Sequence, residues 1–170
     1  MKIGMIGLGK MGGNMTEKLL KNNHEVVVYD VEHKKIEEYK NMGATGSKSL
    51  ENLAEKLDKD KKIVWVMVPA GEIVNNTVTK VSNYLSKGDI IIDGGNSNYK
   101  DTIKLAEKLK EKGIDLLDVG TSGGIWGLKE GYCLMIGGPK KAYDTVEEIF
   151  KDWAPEDGYN YIGKSGSGHF

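Results

Sequence analysis

Three glycines near the start of the chain have the spacing of a phosphate-binding turn. Gly7, Gly9 and Gly12 form the pattern G-x-G-x-x-G between a short apolar run and a segment of helical periodicity. In such a turn the first glycine permits a tight bend, the second lets a pyrophosphate approach the backbone, and the third lets the helix pack on the strand. A glycine turn without a ligand has the same pattern, but its place between a strand and a helix favours dinucleotide binding at the positive end of the helix dipole. The predicted cofactor contacts of this turn are Gly7, Leu8, Gly9, Lys10, Met11 and Gly12.

An acidic residue lies at the position where a residue that binds the ribose of the dinucleotide is expected. Asp30 follows the second apolar run, 23 positions after Gly7, and a carboxylate there accepts hydrogen bonds from the adenine-side ribose hydroxyls and repels a 2′-phosphate. We therefore predict NAD rather than NADP. All 24 basic residues are lysine, so the guanidinium that best binds a phosphate is missing, although Lys34 and Lys35 could accommodate one in part. Asp30 could also, or instead, be the N-cap of the following helix.

Three segments of small residues follow apolar runs further along the chain. They are VPAG at residues 68–71, DGGNS at 93–97 and GTSGG at 120–124. Each could be an ordinary turn. Ligands of open α/β sheets bind beyond the carboxyl ends of the strands, so three such segments at successive strand ends indicate a backbone that comes close to a ligand.

Apolar runs alternate with segments of helical periodicity along the whole chain. This alternation predicts an α/β fold of the Rossmann type, a doubly wound, mostly parallel sheet with helices on both faces. The predicted strands are residues 2–6, 24–29, 63–68, 89–93, 114–119, 131–137 and 159–162. The predicted helices are residues 10–21, 32–41, 50–57, 72–85, 98–112 and 140–153.

Length and composition are those of one globular domain. The chain has 170 residues, of which 39% are hydrophobic and 29% charged, enough to build a core. A net charge of −1 weighs against nucleic acid as a partner, because phosphate-backbone binding needs a basic surface. No apolar run has the roughly 20 residues of a membrane span, and the start does not resemble a signal peptide. We therefore expect a cytoplasmic protein without a membrane partner.

The cysteine and the histidines do not predict a metal site. Cys133 is the single cysteine and lies in the apolar run YCLMI, which favours a buried structural thiol. His24, His33 and His169 have no metal-ligand spacing with one another or with Cys133.

Five motifs together resemble the 6-phosphogluconate dehydrogenase family, both in their residues and in their order along the chain. They are GLGKMGGNM at residues 7–15, IIDGGNS at 91–97, DVGTSGG at 118–124, LMIGG at 134–138 and GSGHF at 166–170. Asp30 is similar to the NAD-linked branch, since NADP-using members tend to carry an Asn-Arg pair near that position. Pro69 departs from the family, in which a lysine is common at that turn.

The resemblance implies an enzyme that oxidises the 3-hydroxyl of 6-phosphogluconate with NAD and decarboxylates the product to ribulose 5-phosphate. The cofactor site would include Val68, Pro69, Ala70 and Asn96, and the substrate site would include Asn96, Ser122, Gly123 and Gly124. Neutral donors of this kind can fix an anion without competing for the hydroxyl proton.

The resemblance also implies a division of labour between two domains. Residues 1–163 would be the dinucleotide-binding domain, and residues 164–170 the start of a connection to an all-helical domain. That domain would supply the general-base lysine and the contacts of a homodimer or higher homo-oligomer. No catalytic residue is then expected within these 170 residues, and the chain alone is expected to be inactive. Lys164 is expected to be a solvated turn residue, and His169 a positioning residue.

Two other functions fit parts of the pattern. Another β-hydroxyacid dehydrogenase, such as one acting on 3-hydroxyisobutyrate, would share the glycine turn, but DGGNS weighs against it. A non-catalytic NAD-sensing module would need the dinucleotide site alone, which leaves the substrate motifs without a purpose.

Overall fold

The computed structural model describes residues 1–123 and 126–170, which form eight strands and seven helices. The strands are β1 (Lys2–Ile6), β2 (Glu25–Tyr29), β3 (Thr45–Gly46), β4 (Ile63–Val66), β5 (Ile90–Asp93), β6 (Asp115–Ser122), β7 (Cys133–Gly137) and β8 (Tyr159–Gly163). The helices are α1 (Lys10–Lys21), α2 (His33–Asn41), α3 (Leu50–Glu55), α4 (Glu72–Ser82), α5 (Tyr99–Glu111), α6 (Gly127–Glu130) and α7 (Lys140–Trp153).

One sheet contains all these strands, in the order β3-β2-β1-β4-β5-β6-β7-β8. Every neighbouring pair is parallel except β6 and β7. The first six strands have the order of a dinucleotide-binding α/β sheet, so the predicted Rossmann-type fold is confirmed. The two-residue β3 and the one-turn α6 were not predicted, because elements that short show no periodicity.

The central strands are apolar on successive residues because helices cover both faces of the sheet. All four residues of β4 and all four of β5 are buried. Their side chains alternate between two core clusters, as strand geometry requires. Trp65 packs with residues of α1 and α7 in one cluster, while Val64 and Val66 pack with residues of α3, α4 and α5 in the other. This double burial is what a parallel sheet needs.

The last part of the sheet is covered on one side only. In β7, Leu134 and Ile136 are buried, whereas Cys133 and Met135 are exposed. The prediction of a buried Cys133 thiol was therefore wrong. An apolar run does not show which of its alternating residues faces the core, and here both faces of the strand carry apolar side chains.

Helix α7 joins the far end of the sheet to the first helix. This amphipathic helix buries its apolar face, whose residues are spaced three or four apart and include Val146, Phe150 and Trp153. The indole N–H of Trp153 donates to the carbonyl of Met15 in α1 at 2.9 Å. The Trp153 ring also meets the edge of Trp65, with ring centroids 4.4 Å apart. Within the described residues, no helix is long and apolar enough to cross a membrane.

The substitution Trp153→Phe should destabilise the fold. It removes the indole N–H, leaves the Met15 carbonyl without that donor inside the core, and shrinks the ring, so we expect a loss of roughly 1–3 kcal/mol in the free energy of unfolding. Urea denaturation followed by circular dichroism measures it. Trp126 is 60% exposed, so Trp126→Phe is the matched control and should change stability by less than about 0.5 kcal/mol. Equal losses for the two variants would contradict the role given to Trp153.

Candidate functional site

The segments singled out in the sequence meet at the carboxyl edge of the parallel strands. They surround a cavity of about 780 Å³. Of the predicted site residues, Met11, Val68, Pro69, Ala70 and Asn96 line it. The rest of the lining is Met67, Gly94, Gly95, Gly120, Thr121, Met135, Ile162, Ser167, Gly168, His169 and Phe170. The pairing of strands in one sheet therefore brings together residues from seven separate parts of the chain.

Two glycines of the G-x-G-x-x-G turn are required by the fold itself. Gly7 has a φ of +100°, which strains any residue with a side chain. A Cβ on Gly7 would collide with the carbonyl oxygen of Met67, and a Cβ on Gly12 would collide with the carbonyl oxygen of Gly7. These contacts bring α1 close to the ends of β1 and β4.

Gly9 has no such steric duty. Its φ is −65°, which any residue adopts, and a Cβ built on it would find no atom within 4 Å. Gly9 is also the N-cap of α1, so no side chain caps the helix, and the first turn carries no acidic residue. The first N–H groups of a helix have no acceptor within it. The space beside Gly9 therefore suits an anion, and the residues present fit a pyrophosphate.

Asp30 joins the glycine turn to the end of β2. Its Oδ2 accepts the backbone N–H of Leu8 at 2.7 Å, and its Oδ1 accepts that of Glu32 at 2.8 Å. The N-cap of α2 is Glu32, so Asp30 is not the N-cap that was considered as an alternative. A carboxylate has about four acceptor positions, and the half-buried Asp30 can still accept from ribose hydroxyls. The Leu8 N–H, by contrast, is already committed to Asp30.

Three of the residues expected to bind the substrate lie at the ends of β5 and β6. Asn96 is exposed in the loop after β5 and lines the cavity. Ser122 is the exposed last residue of β6, and Gly123 follows it with a φ of +142°. Gly120 and Thr121 line the cavity, whereas Ser122 and Gly123 lie outside its lining. Gly124 lies outside the described residues.

A buried carboxylate shapes the loop that carries Asn96. Asp93 is only 1% exposed. Its Oδ1 accepts the N–H of Gly95 at 3.0 Å and its Oδ2 accepts the hydroxyl of Ser97 at 2.7 Å. Burial raises the pKa of Asp93, and the negative charge of Asp118 adds to the rise, while the bonds from Ser97 and Gly95 and the charge of His169 lower it.

The predicted site residues did not include four apolar residues of the cavity wall, Met67, Met135, Ile162 and Phe170. Met135 in β7 and Ile162 in β8 are 42% and 50% exposed, and both line the cavity. The sequence signal for Met135 and Ile162 is that each is an apolar residue next to inward-facing residues of its own strand, so that it must point to the outer face of the sheet. That signal does not say whether the outer face is covered.

Comparison with known families shows which family the chain belongs to. The family described as the NAD binding domain of 6-phosphogluconate dehydrogenase matches residues 2–163. The chain belongs to this family.

Relatives of the 6-phosphogluconate dehydrogenase family align with the chain over its whole length. Bacillus subtilis YqeC is 49% identical over 170 residues, which are 100% of this chain and 57% of that protein. The NAD(+)-dependent, decarboxylating 6-phosphogluconate dehydrogenase of Haloferax volcanii is 39% identical over 171 residues, 100% of this chain and 56% of that protein. The chain thus spans little more than half the length of these relatives.

A solved structure of the same family superposes closely. Plasmodium falciparum 6-phosphogluconate dehydrogenase, known in its apo form and in complexes with NADP+ and with 6-phosphogluconate, has a TM-score of 0.90 and 34% sequence identity. The match covers 99% of this chain and 38% of that chain.

Alanine substitutions should separate the glycines of the turn by function. Gly9→Ala should have the same free energy of unfolding as the wild type. It should bind NAD about tenfold more weakly, because its methyl group enters the space proposed for the pyrophosphate. Gly12→Ala should lose roughly 1–3 kcal/mol of stability, because the Gly7 carbonyl must move. Urea denaturation and calorimetric NAD titration of both variants measure this. Unchanged NAD affinity in a folded Gly9→Ala would argue against a ligand at this turn.

The raised pKa of Asp93 should appear in the pH dependence of stability. Protonation of Asp93 is favoured in the folded state. Its contribution to the free energy of unfolding is therefore fully present below its ordinary pKa of 3.8 and is lost as the pH rises through the raised pKa. Asp93→Asn cannot titrate. Its free energy of unfolding should therefore rise relative to that of the wild type as the pH increases from 3.8 through the raised pKa, and the difference should stay level above it.

Urea denaturation over a series of pH values measures this difference. Asp60 is exposed, so for Asp60→Asn the difference from the wild type should stay nearly constant. A pH-independent difference for Asp93→Asn would contradict the effect of burial.

Proposed function

We propose that this chain binds NAD along the carboxyl edge of β1, β2 and β4 and presents the nicotinamide end to 6-phosphogluconate. The observation that carries the proposal is the arrangement of Gly9 and Asp30. An unobstructed helix N-terminus lies beside a carboxylate that is tied to the same turn through the Leu8 N–H. This arrangement provides adjacent sites for a pyrophosphate and for the ribose next to it.

The choice of NAD over NADP rests on charge at the end of β2. Asp30 repels a 2′-phosphate, and Glu32 places a second acid two residues further on. The chain contains no arginine, so no guanidinium of this chain can bind that phosphate through two parallel hydrogen bonds. Lys34 is exposed nearby but offers only a flexible point charge. The name of the Haloferax volcanii relative also specifies NAD(+).

The substrate site is proposed beside the nicotinamide end of the cavity. Asn96 would lie between cofactor and substrate, and Ser122, Gly123 and Gly124 would bind the substrate carboxylate through hydroxyl and backbone N–H groups. When bound, NAD would supply the hydride acceptor for oxidation of the 3-hydroxyl, which precedes loss of carbon dioxide to give ribulose 5-phosphate. Support comes from the continuity of one cavity between Met11 and Asn96 and from the dehydrogenases that the chain resembles.

The proposal includes binding without turnover by these 170 residues alone. Oxidation of a hydroxyl needs a base for its proton. Among the described residues that line the cavity, His169 is the titratable side chain. Its ring is held between Thr102 and the Asp93 carbonyl, so it is not free to take a substrate proton. The Lys164 side chain is outside the lining.

Replacing Asp30 tests the cofactor site and its preference. Asp30→Asn keeps an acceptor for the Leu8 N–H but removes the charge, so NAD should bind about tenfold more weakly and the preference for NAD over NADP should shrink. Titration calorimetry of the purified chain with NAD and NADP measures both affinities. Asp60→Asn, before β4 and away from this edge, should leave both unchanged. A wild-type chain that binds neither dinucleotide at millimolar concentration would refute the proposal.

A further inference from the structure

The turn formed by residues 164–170 is attached to β6 through one buried carboxylate. Asp118 is fully buried. Its Oδ1 accepts the backbone N–H of Gly166 at 2.9 Å, and its Oδ2 accepts that of His169 at 3.0 Å. A buried carboxylate is tolerated where its oxygens are hydrogen-bonded. Asp118 therefore determines where the backbone of this turn lies.

The ring of His169 extends the attachment to β5 and α5. Its Nε2 is 3.1 Å from the carbonyl oxygen of Asp93, which can only accept, so Nε2 carries a proton and donates. Its Nδ1 is 2.8 Å from the hydroxyl of Thr102 and accepts from it in the neutral ring. Each ring nitrogen thus has a partner, and the imidazole is fixed in one orientation.

This arrangement acts on the loop that carries Asn96. The Asp93 carbonyl belongs to the residue that immediately precedes Gly94, where the loop begins. The other restraints on the loop come from neighbouring strands and from the Asp93 side chain. The Gly94 N–H donates to the Val66 carbonyl of β4 at 3.0 Å, the Thr121 hydroxyl of β6 donates to the Gly94 carbonyl at 3.5 Å, and the Gly95 N–H donates to Asp93. Among the hydrogen bonds of the described residues, that of His169 to the Asp93 carbonyl joins this loop to the turn of residues 164–170, which lines the same cavity.

We propose that His169 is a positioning residue for the nicotinamide half of the dinucleotide. It holds the loop of residues 94–97 where the nicotinamide lies, whereas the adenosine half is bound by the glycine turn and Asp30. The inference rests on the proposed NAD site. The inference distinguishes the two halves of the ligand, because the hydrogen bonds of His169 go to Thr102, Asp93 and Asp118 and not to the glycine turn or Asp30.

The test compares NADH with ADP-ribose, which lacks the nicotinamide ring. In the 170-residue chain, His169→Ala should weaken NADH binding about tenfold and abolish the change in nicotinamide fluorescence on binding. ADP-ribose affinity, measured by calorimetry, should stay within about twofold of the wild type. His169→Gln places an amide N–H near the Nε2 position, and should restore most of the fluorescence change and of the NADH affinity.

A matched histidine controls for general loss of stability. His24 is 7% exposed, bonds to Asp152, and lies just before the amino end of β2, at the opposite edge of the sheet. His24→Ala should change neither ligand affinity nor the fluorescence signal. If His169→Ala does not fold, Thr102→Val removes the hydroxyl donor to Nδ1 and should lower NADH affinity and fluorescence change in the same direction.

The outcomes distinguish this inference from the proposed function. Binding of both NADH and ADP-ribose by the wild type, with equal losses for the two ligands in His169→Ala, would make His169 a purely structural residue and overturn the inference alone. Unchanged binding of both ligands would do the same. A wild-type chain that binds neither ligand would overturn the proposed function and this inference with it.

Discussion

Parallel pairing of β1 with both β2 and β4 is the constraint on which the rest of the site depends. It brings the ends of three strands that are far apart in the sequence to one edge of the sheet. Helix α1 begins directly at that edge, since the missing side chains of Gly7 and Gly12 let it approach β1 and β4. The positive end of the α1 dipole and the carboxylate of Asp30 therefore lie next to each other on the surface.

Buried polar groups give the second half of the site its shape. Asp93 and Asp118 are directly opposite each other on β5 and β6, and each uses its two oxygens to hold backbone or hydroxyl donors of a loop. In a medium of low polarity such bonds are costly to break, because each lost partner leaves a buried group without a substitute. The two loops beside the cavity are therefore anchored to the sheet by side chains of the strands.

The sequence predicted the fold well where one residue pattern decides one structure. Alternation of apolar runs with helical periodicity gave the α/β class, and the G-x-G-x-x-G turn was correctly placed between β1 and α1. The antiparallel direction of β7 was not predictable, since a pattern of apolar residues is the same read either way. The exposure of Cys133 was missed for a related reason, because coverage of a sheet face depends on elements elsewhere in the chain. The bonds of Asp118 to Gly166 and His169 span about 50 residues, and no local pattern reports them.

In the proposed site, Asp30 both holds the glycine turn and binds the ribose, which would couple cofactor preference to the geometry of that turn. A residue that replaces Asp30 in this chain must still accept a hydrogen bond from the Leu8 N–H. Otherwise that N–H has to turn to solvent and the glycine turn has to relax. Asparagine retains such an oxygen while shedding the charge, whereas alanine or glycine does not. On this proposal, a change of coenzyme preference is easiest if Asp30 is first replaced by asparagine. That requirement limits the order in which substitutions can accumulate during evolution or in the laboratory.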